Sequence, residues 1–220
     1  MSLLFVTGSG TEVGKTHVTA LLTRQLRRIG RTVEALKPVA TGFDPARPAD
    51  SDPGRLLLAG GVEPSLERIA AVSPWRFTAP LSPDMAADRE GRAIDFRALV
   101  AFCARRRDAD VTLIEGIGGV MVPLDAEHTV RDWIAAVGAP ALLVTGSYLG
   151  TLSHTLTAVE ALRRGGCTLA GIVVSESAEQ PVPADETAAV IARFAAPTPV
   201  RLVRRGDAPP PSLLDLVPAH

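Results

Sequence analysis

Apolar positions along this 220-residue chain switch between two periods. Leu3-Leu4-Phe5-Val6 is a continuous apolar run, the pattern of a strand buried on both faces of a parallel sheet. From Thr16 the spacing changes. Val18, Leu21, Leu22, Leu26 and Ile29 recur every three or four residues, Arg24, Arg27 and Arg28 fill the opposite face, and Gly30 ends the run. The alternation continues down the chain. Strands are expected over residues 3–7, 32–37, 111–115, 141–145, 169–175 and 200–203. Helices are expected over 16–29, 53–60, 95–107, 130–137, 151–164 and 184–194. This order predicts an α/β fold with a mainly parallel central sheet and helices on both faces, in a single domain spanning 1–220. Residues 43–53 and 204–211 are rich in proline and charge, and are expected to be irregular.

In such a sheet ligands sit beyond the C-terminal strand ends, so the residues there carry the functional signal. The first strand ends in Gly8-Ser9-Gly10-Thr11-Glu12-Val13-Gly14-Lys15-Thr16. This stretch closes like a phosphate-binding loop, but the usual Gly-x-x-x-x-Gly-Lys-Ser/Thr spacing calls for glycine at position 9, where Ser9 stands. Its setting between a strand and a helix start is right for a phosphate cradle. Backbone N–H groups point outward there, and the helix end carries partial positive charge. Lys15 adds a full charge, and the Thr16 hydroxyl can ligate Mg²⁺. The residues from Glu12 through Val13, Gly14, Lys15, Thr16 and His17 are therefore candidates for nucleotide contact, which makes the fold a P-loop NTPase.

The other strand ends repeat the signal. The second ends in Lys37-Pro38-Val39-Ala40-Thr41-Gly42, the third in Glu115-Gly116-Ile117-Gly118-Gly119, the next in Gly146-Ser147-Tyr148-Leu149-Gly150, and the fifth in Ser175-Glu176-Ser177. A carboxylate closing a buried apolar strand, as Glu115 does, is the usual second partner for Mg²⁺ in a P-loop fold; a structural salt bridge is the alternative. Asp52, beside Asp50, is a candidate for a further metal position, although an Asp in a Pro/Asp-rich loop is more often solvated. Lys37 faces the same edge as Lys15. Two lysines and a metal exceed what nucleotide binding requires, which points to a second anion or an anionic intermediate. A lysine snorkelling at the sheet rim is the alternative.

Composition narrows the class. Lys and Arg number 23 against 24 Asp and Glu, so no basic footprint for nucleic acid or an anionic membrane is present. The densest basic run, Arg105-Arg106-Arg107, reads as a solvated helix end. No apolar run approaches the roughly 18 residues of a membrane helix, and no signal peptide is visible. The two cysteines, Cys103 and Cys167, lie far apart in apolar segments without a CxxC. Buried free thiols and a cytoplasmic location are expected. A guanine-reading Asn-Lys-x-Asp element is absent, and the motif order is wrong for a protein kinase.

Together, GSGTEVGKT, LKPVATG, SPW, PLSP, EGIGGVMVPL, DW, GSYLGTLSHTLT and LAGIVVS resemble the dethiobiotin synthetase family of the biotin pathway, over most of residues 3–175. The family's loop also runs Gly, five residues, then Gly-Lys-Thr, so the resemblance explains the offset glycine. It implies a homodimer that closes a cyclic urea on 7,8-diaminononanoate with CO₂, ATP and Mg²⁺, releasing ADP and phosphate. A neutral amine captures CO₂ as a carbamate, ATP phosphorylates it, and the second amine displaces phosphate. By resemblance, Lys15 and Thr16 serve phosphates and metal, Asp52 and Glu115 serve Mg²⁺, and Lys37 serves the carbamate and γ-phosphate. Thr11, Glu12 and Thr41 line the meeting point of substrate and phosphate. Gly116, Gly118 and Gly119 approach the substrate through backbone. A partner subunit completes the substrate site through the segment holding Leu149, Gly150 and Ser153.

Departures from the family pattern carry expectations of their own. Ser175 stands where the family often has an adenine-reading Asn. One hydroxyl replaces an amide's paired donor and acceptor, so a looser base preference and use of other nucleoside triphosphates are expected. Ser153, Tyr148 and Asp84 replace common Asn, Lys and His, and residues after Val200 match poorly. Two other readings are a dimeric P-loop ATPase switch and a cofactor-assembly ligase with another substrate. Switch ATPases usually carry a second lysine inside the loop, where this chain has Ser9-Gly10-Thr11-Glu12.

Overall fold

The computed structural model describes residues 2–105, 107–206 and 209–219. Its centre is a six-stranded sheet built from β1 (Ser2–Gly8), β2 (Val33–Leu36), β5 (Val111–Glu115), β6 (Ala141–Thr145), β7 (Leu169–Ser175) and β8 (Val200–Val203), in the order β2-β5-β1-β6-β7-β8. Every pairing in it is parallel. Strand β1 lies in the middle, with β5 and β6 on its two sides. The loop after β1 therefore opens at the point where the strand order reverses, the crevice that α/β sheets use for ligands.

Period two sorts the strand residues onto two cores. Leu4, Val6, Leu113, Leu142, Val144 and Val173 face helix α1 (Lys15–Arg28) and the C-terminal Leu213 and Leu216. Phe5, Ile114, Leu143, Ile172 and Val174 face the other way, onto α5 (Phe96–Ala104), α6 (Val130–Val137), α7 (Thr151–Arg164) and α8 (Ala184–Ala195). Buried on both faces, the strands read as continuous apolar runs rather than alternating ones. The fully buried Trp133 of α6 anchors the second core edge-on against Phe5, with ring centroids 4.8 Å apart.

Several short elements escape the sequence pattern. Strands β3 (Val39–Ala40) and β4 (Trp75–Arg76) form a two-residue parallel pair, and helices α3 (Leu66–Val72) and α4 (Pro83–Arg89) are under two full turns. Elements this short show no period. Residues 43–53 are not wholly irregular: Pro48–Asp50 is a 3₁₀ turn, and α2 (Asp52–Ala59) begins at Asp52 itself. Ser51 caps it, its Oγ accepting from the Gly54 N–H at 3.2 Å, with Pro53 in the first turn.

Two expectations about polar side chains need correction. Arg107 does not extend a solvated helix end. Helix α5 stops at Ala104, and Arg107 is buried, donating to the Phe102, Cys103 and Arg105 carbonyls and pairing with Glu34 at 3.2 Å. It covers the helix's orphan carbonyls with a guanidinium instead of leaving them to water. Arg106 lies outside the described residues, as do Asp207 and Ala208 of the 204–211 stretch. Both cysteines are free, but only Cys103 is buried; Cys167, in the turn from α7 to β7, is half-buried. No described helix is long and apolar enough to cross a membrane.

Candidate active site

The loop after β1 is shaped by tight backbone geometry. Gly14 holds a left-handed φ of 95° as the N-cap of α1, and Glu12 is the one described non-glycine residue with left-handed φ, at 57°. A left-handed non-glycine residue is strained, and such strain is typical of ligand-binding loops. Gly8 is needed for a different reason: a Cβ there would lie 3.0 Å from both Gly10 O and the Lys15 side chain. Lys15 passes over it, and its Nζ donates to Gly10 O at 2.7 Å. Serine is accepted at position 9 because its side chain is used, its Oγ lying 2.9 Å from Thr145 Oγ1.

Beneath the loop, five predicted side chains meet. Lys37 Nζ lies 2.7 Å from Glu115 Oε1, donates to Gly116 O at 2.7 Å, and stands 3.4 Å from Asp52 Oδ2. Thr16 Oγ1 donates to the same Glu115 oxygen at 2.8 Å. Lys15 completes the group, lining the same cleft as Thr16, Lys37 and Asp52. Lys37 is therefore no rim lysine, and Asp52, with its side chain still 44% exposed, is paired to Lys37 at a helix start rather than free in a loop. Asp52 reaches the cluster because α2 begins at it. Asp50, two residues earlier at the end of the 3₁₀ segment, is exposed.

Electrostatics separates the two lysines. Burial lowers the Lys15 pKa to about 8, helped by Lys37 and opposed by Glu115 and Asp52. Burial also works against charge on Lys37, but Glu115 and Asp52 outweigh it, so its pKa is raised. Asp52 is shifted down: burial opposes ionisation, and Lys37, a Thr16 hydrogen bond and Lys15 together prevail. Lys37 is thus a fixed cation, while Lys15 is poised to lose its proton in mildly alkaline solution.

The same cluster suits a hard divalent cation. Glu115 Oε2 is buried without a hydrogen-bond partner, an orphan lone pair that an ion or its water would satisfy. Among the described residues no three His, Cys, Asp or Glu side chains converge. The donors present are two carboxylates and a hydroxyl, which fits Mg²⁺ completed by phosphate oxygens and water rather than an all-protein cage.

Two clefts flank the loop. One, of about 720 Å³, is lined by Lys15, Thr16, Lys37, Asp52 and Thr41, together with Thr11, Glu12 and Gly118, and by Pro80 to Pro83 from the approach to α4. The other, of about 550 Å³, runs past Glu12, Gly14 and His17 to Ser175, Glu176, Ser177 and the Arg204–Gly206 turn. The first gathers both lysines, Asp52 and the Thr11, Thr16 and Thr41 hydroxyls; the second is lined by Ser175, Ser177, Glu176 and the arginines of the turn.

Several predicted residues sit elsewhere. The Val13 side chain is buried in the core below the loop, which leaves its backbone at the cleft. Gly116 packs inward, since a Cβ there would meet the Phe5 ring at 2.9 Å; it contributes its carbonyl to Lys37. Gly119 packs on Ser9 and lines a shallow apolar groove with Met121, Val122 and His154. Leu149, Gly150 and Ser153 lie at the start of α7, outside both clefts, and Leu149 is 83% exposed. Arg55 was missed by the sequence reading. It stands three residues after Asp52 on α2 and lines the larger cleft. The Ser-Asp-Pro helix start at residues 51–53 would have placed both on one face.

Comparison with known proteins gives a consistent set of relatives. A family model described as an AAA domain matches residues 2–210. The chain is 49% identical over 221 residues to the "ATP-dependent dethiobiotin synthetase BioD" of Acidiphilium cryptum (strain JF-5), covering 99% of this chain and 95% of that one. It is 49% identical to the protein of the same name from Methylobacterium nodulans, over the whole of both chains. With the one from Anaeromyxobacter dehalogenans the identity is 41%, over 91% and 88%. Among solved structures, the signal recognition particle receptor FtsY from Elizabethkingia anophelis superposes with a TM-score of 0.50 at 16% identity. That match covers 98% of this chain and 61% of FtsY, a likeness of fold alone.

Proposed function

The chain belongs to the ATP-dependent dethiobiotin synthetase family, and from that premise we propose that it closes the ureido ring of dethiobiotin on 7,8-diaminononanoate, using CO₂, ATP and Mg²⁺. The observation that carries this reading is the position of Lys37: a buried lysine, its charged form favoured by Glu115 and Asp52, beside the phosphate loop and both candidate metal ligands. A nucleotide switch has no need of it. A reaction whose carbamate anion forms beside the γ-phosphate does.

The residues divide the work as follows. An alkyl amine has an unperturbed pKa of ~10 and must lose a proton before it attacks CO₂. The cationic lysines lower the pKa of an amine placed beside them and stabilise the carbamate that results. Lys15 and the loop N–H groups, with Thr11 and Glu12 at the cleft wall, hold the phosphates in line with that carbamate, and Thr41 borders the substrate. The second amine then attacks the carbonyl of the mixed anhydride, and phosphate leaves. Thr16, Asp52 and Glu115 would hold Mg²⁺, which neutralises charge on the β- and γ-phosphate oxygens. The cleft running past His17 to Ser175 takes the base and ribose. No protein nucleophile is required.

A homodimer is part of the proposal. Met121 is exposed on the groove it lines with His154, Leu149 and Leu152 are exposed at the start of α7, and Leu149, Gly150 and Ser153 would serve a neighbouring subunit's substrate. A cytoplasmic enzyme agrees with two free thiols.

The test is phosphate release from ATP, Mg²⁺ and bicarbonate, with and without 7,8-diaminononanoate, alongside assay of dethiobiotin. Release that requires the diamine and matches dethiobiotin one for one is expected. Release indifferent to the diamine would overturn the reading in favour of a switch ATPase.

A further inference from the structure

Position 9, where the common loop spacing has glycine, is tied to β6 twice. The Ser9 N–H donates to Val144 O at 2.9 Å, and its Oγ meets Thr145 Oγ1 at 2.9 Å. Thr145 is fully buried. It also touches Thr151 Oγ1 at 2.9 Å and Thr155 Oγ1 at 2.7 Å, both buried on the first turns of α7. One hydroxyl at the end of β6 thus joins the phosphate loop to the helix that begins at Thr151.

Proton counting gives this network a direction. A hydroxyl donates one proton and accepts up to two. Thr151 donates to Gly146 O at 2.8 Å, so toward Thr145 it accepts. The Thr145 proton therefore goes to Thr151, and Ser9 and Thr155 must both donate to Thr145. The chain runs one way, from Ser9 through Thr145 and Thr151 to the Gly146 carbonyl, with Thr155 joining at the middle. An apolar side chain at 145 would leave three hydroxyls to find new partners, two of them buried.

We propose that Thr145 is a positioning residue that couples the phosphate loop to the N-terminal end of α7, so that nucleotide binding at residues 9–16 is transmitted to residues 150–155. The proposal rests on the preceding reading only for what those residues then do: on the dimeric reading they hold the substrate of the neighbouring subunit, and each phosphate loop is linked to the other site.

Amide hydrogen exchange of the full-length protein tests this, with and without a non-hydrolysable ATP analogue and Mg²⁺. In the parent protein the analogue is expected to slow exchange at residues 9–16 and, by about threefold to tenfold, the worth of one net hydrogen bond, at 151–155. In Thr145→Val the loop keeps its protection and 151–155 exchange at the ligand-free rate. Thr145→Ser restores the effect, which a purely space-filling role for Thr145 does not predict. Ser9→Ala, which leaves β6 and α7 untouched, should also lose it, and serves where the valine variant fails to fold. Thr112→Val, a buried threonine elsewhere in the sheet, should leave it unchanged. Absence of protection at 151–155 in the parent, or its persistence in both Thr145→Val and Ser9→Ala, overturns the coupling. No diamine is present, so failure of the ring-closure reading would leave this result intact.

Discussion

Lys37 Nζ stands 2.7 Å from Glu115 Oε1, with the two side chains 3% and 0% exposed. A buried pair of this kind is weak evidence for stability, because desolvation offsets the attraction. Its persistence needs another explanation, and chemistry at the phosphate loop supplies one. Glu115 also accepts from Thr16, so a single carboxylate orients the loop's hydroxyl and holds the cation that would meet the carbamate.

Replacing the lysine should separate binding from turnover. Lys37→Ala is expected to lower kcat by a factor of at least ~10², the scale of one lost electrostatic stabiliser, while changing nucleotide affinity far less. It also leaves Glu115 buried and uncompensated, which costs about 3–5 kcal/mol. Adding Glu115→Gln should therefore recover thermal stability without recovering turnover. Calorimetric titration with ATP and steady-state kinetics on both variants would decide. Affinity that falls in step with kcat would make Lys37 a nucleotide contact only.

Glu115→Gln alone tests the metal reading. The amide keeps an acceptor for Thr16 but gives up the charge and the orphan oxygen that an ion would use. The Mg²⁺ concentration for half-maximal turnover at saturating ATP should rise by roughly tenfold or more, the scale for disturbing a metal's ligand sphere. An unchanged Mg²⁺ requirement would leave Glu115 as a partner of Lys37 and nothing else.

Lys15 gives a pH prediction. Its pKa is lowered to about 8 in the structure, chiefly by burial. Phosphates raise it again in the complex, so above pH 8 nucleotide binding must take up a proton. ATP affinity should be insensitive to this group below pH 8 and fall as pH rises above it, by up to about tenfold per pH unit. Stability moves the opposite way. The unfolded chain, with an ordinary lysine near 10.5, binds more protons than the folded one between pH 8 and 10.5, so this group's contribution to stability rises across that window. Lys37, shifted upward, keeps its charge throughout that range. Binding isotherms from pH 6.5 to 9.5 in two buffers of different ionisation enthalpy would show the proton uptake; flat affinity would refute it.

Much of this site could be read from residue order because its signals are local. Val111–Glu115, Ala141–Thr145, Leu169–Ser175 and Val200–Val203 are apolar runs closed by polar or glycine residues, and the structure has them as strands with those bounds. Lys15, Thr16, Lys37 and Glu115 follow such strands and converge as the parallel topology requires. What escaped notice depends on distance along the chain. Thr145 looks like any β-branched strand residue, and its partner Ser9 lies 136 residues away. Arg107 reads as a solvated cation until α5 ends three residues before it and its carbonyls turn toward the guanidinium. Strands of two residues such as β3 and β4 carry no period, so their pairing could not be foreseen.

On the proposed reading, Ser175 is the side chain placed to meet the base. It closes β7 at the mouth of the smaller cleft, so near the loop that a Cβ on Gly14 would lie 2.5 Å from its Oγ. Its neighbours are already engaged: Glu176 accepts from the Arg205 N–H and from Gln180, and Ser177 and Ser147 exchange hydrogen bonds. A lone hydroxyl there can donate one proton or accept, but it cannot match the paired donor and acceptor on a base edge. Selectivity comes from polar groups left unpaired by the wrong base, and one hydroxyl that rotates to suit either partner leaves few. CTP and GTP are therefore expected to support turnover with kcat/KM within about tenfold of ATP, the worth of one hydrogen bond. Ser175→Asn should widen the gap by a further factor of about ten, mainly through KM for the disfavoured nucleotides. Parallel kinetics with the three triphosphates on both proteins would measure it. A parent enzyme already more than a hundredfold selective for ATP would show that backbone groups around the Arg204–Gly206 turn, rather than residue 175, read the base.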